Sequence, residues 1–244
     1  MIAEIEEDKK PWQKKGWVQW LAIILGVLPS YVIPIYANLR REQALSMVDL
    51  LFYTIVFGGS MTIGMALLLR FLCGERFRDL NRKGGRWWKD ILGGIGLSIL
   101  TLAVAAFLSG AVDNLFPGES DRGLDFALKE MIQNWWMFAL MMGPGLIIGA
   151  ALFEEFTRVF LLTRLWNISS NKAWKWLTVL FSAVIFGLAH IYQGTAGMIL
   201  TGIFGLMMAI VYLISGRIVI LMMAHYLYNA IQFALIYFSG TTPG

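Results

Sequence analysis

Seven long apolar segments, separated by short polar stretches, dominate the pattern along the chain. Each is long enough to cross the hydrocarbon core of a bilayer as a helix, which takes about 20 apolar residues. The second starts with Ser46 and Asp49, three residues apart, as in a capping box. The pattern predicts an all-α polytopic transmembrane helix bundle. The seven segments cover residues 17–38, 47–72, 90–112, 134–166, 174–193, 196–214 and 217–239.

The fourth segment is too long for one straight crossing. A helix over residues 135–162 would be about 42 Å long at 1.5 Å per residue, against a hydrocarbon core of about 30 Å. The run Gly143-Pro144-Gly145 lies inside it and offers a place to bend or break. The sequence therefore allows one bent helix or two shorter helices, which gives seven or eight spans.

Composition and charge fit a membrane protein and report its topology. Hydrophobic residues make up 58% of the chain and charged residues 15%. The net charge of +4 could suit a nucleic acid, but the basic residues fall between the apolar segments and so indicate orientation. With the N-terminus in the cytosol, 15 Lys and Arg residues lie on the cytosolic side and four outside. We expect one integral plasma-membrane domain over residues 1–244 with a cytosolic N-terminus, and no nucleic-acid partner. The four outer residues are Arg40, Arg41, Arg122 and Lys129.

Five ionisable side chains lie deep inside the later segments: Glu154, Glu155, Arg158, His190 and His225. The two histidines are the only ones in the chain. A charge at bilayer depth costs several kcal/mol unless it is paired or hydrated, and by default it marks a functional site.

Helical spacing places these groups on common faces. Glu154 and Arg158 are four residues apart and Glu155 and Arg158 three, so the arginine can reach either carboxylate. Such a pair can also be a structural clamp without any chemistry. The local pattern leaves open which glutamate pairs with Arg158.

The two histidines also have helical neighbours. Phe186 precedes His190 by one turn and can pack beneath it, and Asn229 follows His225 by one turn on the same face. A lone histidine or asparagine in a span is often only a hydrogen-bonded packing group. The only two histidines of the chain both fall inside apolar segments, at depths near that of the Glu-Glu-Arg cluster. This coincidence favours a functional site over separate packing groups.

At these residues the chain resembles the CPBP family of intramembrane glutamate endopeptidases. This CAAX-protease and bacteriocin-processing (Abi) family includes the Ras-converting CAAX endopeptidase. Its pattern is EExxxR, FxxxH, and HxxxN or HxxxD, and here EEFTR stands at 154–158, FGLAH at 186–190 and HYLYN at 225–229. The resemblance covers residues 151–237, with a protease core expected at about 134–239, and the first 130 residues show none.

The first motif departs from the family pattern. Two residues instead of three separate the second glutamate from the arginine, and Val159 occupies the usual arginine position. Positions three and four residues apart lie on nearly the same helical face. We therefore expect Arg158 still to reach a carboxylate.

The resemblance implies a peptidase without a nucleophilic serine or cysteine. Glu154, with His190, would deprotonate a water that attacks the scissile carbonyl, and His225 and Asn229 would donate hydrogen bonds to the oxyanion. Glu155 and Arg158 would fix the geometry of the site. We expect no cofactor, and no metal because HExxH is absent and a zinc site would use up the general bases.

The resemblance also implies the partners and the location. The expected partner is a peptide or protein substrate in the bilayer, and a lipidated substrate is one of the options. A prokaryotic plasma membrane fits the distribution of the family.

Two other functions compete with the peptidase. A catalytically silent scaffold or bacteriocin-immunity-type protein would use the same fold, and the altered arginine spacing favours it slightly. A proton-coupled transporter would also bury glutamate and histidine, but transporters typically carry inverted repeats, and the sequence shows no internal repeat.

Overall fold

The computed structural model describes residues 10–83, 85–116 and 122–241, which form helices joined by short connections and contain no strand. Seven of the helices are long and apolar enough to cross a membrane. This confirms the predicted polytopic helical bundle. Lys9, which entered the topology count, lies outside the described residues. The helices are α1 (Gly16–Leu39), α2 (Met47–Leu72), α3 (Trp87–Leu115), α4 (Arg122–Gln133), α5 (Trp135–Ile168), α6 (Lys172–Ala189), α7 (Gly194–Ser215) and α8 (Ile218–Ser239).

The start of α2 is fixed by the predicted capping box. The Ser46 hydroxyl accepts a hydrogen bond from the Asp49 backbone N–H at 3.1 Å, and the Asp49 carboxylate accepts one from the Ser46 backbone N–H at 3.2 Å. The two bonds satisfy backbone donors that a helix start leaves without partners.

The long fourth segment is one continuous helix, so seven spans and not eight are present among the described residues. Helix α5 has 34 residues and changes to π-helical hydrogen bonding over Met141–Glu154. This stretch contains the Gly143-Pro144-Gly145 run, and the wider π turns carry Pro144 without a break in the helix. The α-helical pattern resumes at Glu155.

The second half of α5 is the centre of the bundle. All twelve residues from Glu155 to Trp166 are buried. Its aromatic side chains pack against their neighbours, with Phe156 and Phe160 edge to face at 6.0 Å and Trp166 stacked on Tyr212 of α7 at 5.7 Å. The charged groups of α5 are therefore held in a packed core.

Helix α6 ends at Ala189, four residues earlier than its apolar segment suggests. His190 caps the helix, and the chain turns back into α7 at Gly194, whose φ of +72° favours glycine. Helices α6 and α7 pack closely, since a Cβ on Gly187 would lie 2.8 Å from the Met198 carbonyl oxygen. This turn places His190 at a helix end and not inside the span.

The region between α3 and α5, which lies between two of the predicted apolar segments, contains the amphipathic helix α4. Its buried face holds Ala127, Leu128 and Met131, which join a core cluster at the start of α2. The Glu130 carboxylate accepts a hydrogen bond from the Met47 backbone N–H at 2.7 Å.

Two basic residues that the topology count placed on the cytosolic side are held in ion pairs. Arg164 is fully buried in α5 and pairs with Glu75 of the segment between α2 and α3. Arg217 pairs with Asp90 at the start of α3. These pairs fasten connecting segments to the bundle.

Candidate active site

The candidate site lies where α5, α6 and α8 meet. At its centre is a buried ion pair. Glu155 and Arg158 are both fully buried, and Arg158 Nη1 donates to the two carboxylate oxygens of Glu155 at 2.6 and 2.7 Å. The three-residue spacing is therefore sufficient for the pair. His225 Nδ1 of α8 lies 2.6 Å from Glu155 Oε1, so one carboxylate connects two helices.

The ring of Phe186 packs against the polar groups of the site. Its ring centroid lies 4.0 Å from the Arg158 guanidinium carbon, in cation–π geometry. The same ring packs against His190 at 4.6 Å and against His225 at 6.1 Å. One aromatic side chain thus fixes the positions of three polar neighbours.

Glu154 lies in a different environment from its neighbour. Its side chain is 18% exposed, and its Oε2 lies 3.7 Å from His190 Nε2 and 3.8 Å from His225 Nε2. Both distances exceed that of a direct hydrogen bond, and Oε2 is buried without a hydrogen-bond partner among the described residues. Separations of this size suit a bridging molecule between carboxylate and imidazole.

The hydrogen bonds of the two histidines fix which nitrogen faces Glu154. His190 Nδ1 lies 2.9 Å from the Phe186 carbonyl oxygen, and a carbonyl only accepts, so Nδ1 carries the proton. The Nε2 of a neutral His190 is then an acceptor directed at Glu154. His225 Nδ1 donates to Glu155 in the same way, so its Nε2 carries a proton only in the imidazolium form.

A small cavity opens beside Glu154. The cavity has a volume of about 20 Å³ for the centre of a water molecule. One water needs roughly 10–15 Å³ on the same measure, so the cavity can hold one. The cavity is lined by Glu154, His190 and Phe186, and also by Tyr31 of α1, Tyr53 of α2 and Tyr192 after α6.

Tyr31 and Tyr53 were not found by reasoning from the sequence. Both come from the first two helices, far from the motifs, and their approach to the site depends on tertiary packing. Nothing in the local pattern separates Tyr31 from Tyr36 on the same helix, although Tyr31 is 4% exposed and Tyr36 61%.

Asn229 makes no side-chain hydrogen bond to the described residues of the candidate site. It lies one turn after His225 on α8 and is partly buried. Its side chain makes no hydrogen bond with the described residues, and it does not line the cavity. The structure thus brings together Glu154, Glu155, Arg158, Phe186, His190 and His225, and leaves Asn229 beside them.

No group of three or more His, Cys, Asp or Glu side chains that could hold a metal ion occurs in residues 10–83, 85–116 and 122–241. The polar groups of the site are paired by charge or directed into the cavity. They can support acid–base chemistry on a bound molecule.

Comparison with known proteins agrees with the motifs. Residues 133–231 match the family model described as type II CAAX prenyl endopeptidase Rce1-like. No curated protein and no solved structure matches the chain. The matched region contains α5 to α7 and the site residues of α8. Residues 133–231 of this integral membrane protein are therefore similar to the Rce1-like family of CAAX proteases.

Proposed function

We propose that this protein is an intramembrane endopeptidase in which Glu154 activates the water that attacks a peptide bond. The observation that carries the proposal is the free carboxylate oxygen of Glu154, held 3.7 Å from His190 Nε2 beside a cavity that accommodates one water. Both groups are acceptors when His190 is neutral, so a water between them can donate one hydrogen to each.

The reaction then proceeds by addition and elimination. The water oxygen adds to the scissile carbonyl carbon while Glu154 takes a water proton as general base. The tetrahedral intermediate collapses, the C–N bond breaks, and the proton passes from Glu154 to the leaving amine. The products are one new carboxyl terminus and one new amino terminus.

His225 and Asn229 are proposed to donate hydrogen bonds to the oxyanion. For His225 this requires the imidazolium form, because its Nδ1 already donates to Glu155.

Glu155, Arg158 and Phe186 are proposed as positioning residues. Glu155 holds His225 by the Nδ1 contact, and Arg158 and Phe186 hold Glu155 and both imidazoles in place. Groups that act on a transition state must be fixed before the reaction, and such packed neighbours provide the support.

The family and the apolar helices indicate a peptide substrate in a lipid environment. Within this class we propose a substrate that reaches the site from the bilayer, with lipidated peptides among the options. We also propose a cytosolic N-terminus, on the distribution of basic residues.

The proposal is tested by comparing terminal-peptide profiles of membranes that express the wild type, Glu154→Gln or the control Glu42→Gln. Glu42 is an exposed acid in the connection between α1 and α2, so its substitution leaves the site unchanged. We expect new termini in the wild type and in Glu42→Gln that are absent from Glu154→Gln. Identical profiles at equal amounts of folded protein would instead support a non-catalytic scaffold.

A further inference from the structure

The first helix contributes a polar group to the site that lies outside the family match. Tyr31 of α1 is 4% exposed, and its hydroxyl makes no hydrogen bond with the described residues. Its side chain lines the same cavity as Glu154 and His190. A buried donor is therefore available where the proposed chemistry takes place.

A buried hydroxyl without a partner is unfavourable for folding. Leaving such a group unsatisfied costs about 1–3 kcal/mol. Tyr212 shows the usual solution, since its buried hydroxyl donates to the Leu80 carbonyl oxygen at 2.8 Å. The contrast suggests that the Tyr31 hydroxyl serves a ligand and not the fold.

The acceptors of the cavity can hold a water but cannot hold a carbonyl oxygen. Glu154 Oε2 and the Nε2 of a neutral His190 are acceptors, and the Nδ1 proton of His190 is already used by the Phe186 carbonyl. A water satisfies the two acceptors, whereas the carbonyl oxygen of a bound peptide needs a donor. The Tyr31 O–H can supply one.

We propose that Tyr31 is a further catalytic residue whose hydroxyl donates a hydrogen bond to the scissile carbonyl oxygen as it becomes the oxyanion. The inference rests on the proposed peptidase function and extends it to a helix before the matched region. Stabilisation of the oxyanion by a fixed donor is strongest in a site that excludes water. No bond to Tyr31 forms or breaks, and its proton stays on the phenol oxygen.

The test is Tyr31→Phe, which removes one oxygen and keeps the packing of the ring. The matched control is Tyr36→Phe, which removes the hydroxyl of a residue that is 61% exposed on the same helix. The substrate is a peptide that spans a cleavage site found in the terminal-peptide comparison. Each purified variant is measured for kcat, KM and thermal unfolding temperature in the same detergent.

We expect Tyr31→Phe to lower kcat at least about tenfold, since loss of one oxyanion-hole donor costs about 10²–10³-fold in a well-studied case. KM should change little, because the bond strengthens mainly in the transition state. The unfolding temperature should stay equal or rise, because an unsatisfied buried group is removed. Tyr36→Phe should match the wild type in all three values.

Four results would overturn the inference. One is a wild-type kcat in Tyr31→Phe while Glu154→Gln is inactive, which leaves the peptidase proposal standing. The second is a higher KM at constant kcat, which would assign Tyr31 to ground-state binding. The third is a lower kcat together with a lower unfolding temperature, which would assign Tyr31 to folding. The last is unchanged cleavage in Glu154→Gln, which removes the proposed function and the role of Tyr31 with it.

Discussion

Substitution by glutamine should have different effects on protein stability at the two adjacent glutamates. Glu155→Gln keeps the shape of the side chain but removes the negative charge that faces Arg158. Both partners are fully buried, and Arg158 donates to both oxygens of Glu155. The substitution leaves the arginine in the core with its cation–π contact to Phe186 but without a counter-charge.

The expected cost follows from the burial of the pair. Removing one member of a buried ion pair destabilises a protein by about 3–5 kcal/mol, because the remaining charge is not compensated. Since 1.4 kcal/mol is a factor of ten, the unfolding equilibrium constant should rise roughly a hundredfold or more. Removing both charges with Glu155→Met and Arg158→Met should cost clearly less than the single substitution.

Glu154→Gln is the matched control on the next residue. The Glu154 carboxylate makes no ion pair with a permanent cation, and its Oε2 has no hydrogen-bond partner among the described residues. Its loss should change the free energy of unfolding by less than about 1 kcal/mol. The same substitution should abolish cleavage, so we expect this residue to affect activity without affecting stability.

The measurement is equilibrium unfolding in mixed micelles, where a denaturing detergent is titrated against a mild one and helicity or tryptophan fluorescence is followed. The wild type, Glu154→Gln, Glu155→Gln and the double Met variant are compared under identical conditions. Equal free energies of unfolding for the two single Gln variants would refute the assignment of different environments to the two acids. A double variant less stable than Glu155→Gln would refute the account of the buried charge.

Two further predictions concern the packing around the site and use the same unfolding measurement. Gly187→Ala should destabilise the protein by about 1–3 kcal/mol, because the added Cβ would collide with backbone atoms of α7. In the control Gly64→Ala the added Cβ meets nothing within 4 Å, so the substitution should be neutral or stabilising. Equal effects of the two substitutions on the free energy of unfolding would contradict the close contact between α6 and α7. Arg164→Met should cost about 3–5 kcal/mol because it removes the guanidinium that pairs with the buried Glu75 carboxylate. Arg41→Met breaks a solvent-exposed pair and should cost at most about 1 kcal/mol. A small effect at Arg164 would show that the buried pair does not hold its segment in place.

The spans could be predicted because bilayer thickness sets the length of an apolar segment. The start of α2 was equally accessible, since a capping box is local. The end of α6 was not, because the residues around His190 remain apolar beyond the last helical turn. The burial of Arg164 was also missed, since a basic residue near a span end normally reports topology.

In the candidate site, too, local features could be predicted from the sequence and tertiary contacts could not. The face shared by Glu155 and Arg158 follows from helical spacing within α5, and so could be expected from the chain alone. The approach of His190 and His225 to Glu154 is a contact between three helices, which the sequence indicated only through the position of both histidines inside apolar segments and through the family resemblance. Tyr31 had neither a local pattern nor a matching motif, and only the packing of α1 against α5 and α6 reveals it.

The adjacency of the two acids has a physical reason. Neighbouring positions on an α-helix are separated by about 100° around the axis, because one turn takes 3.6 residues. Glu155 can therefore face Arg158 and His225 in the buried centre while Glu154 faces the cavity. Two acids one turn apart would share a face and compete for the same guanidinium. Consecutive positions instead give one carboxylate a fixed counter-charge and leave the other free to exchange a proton, which is the division of roles that a water-activating site needs.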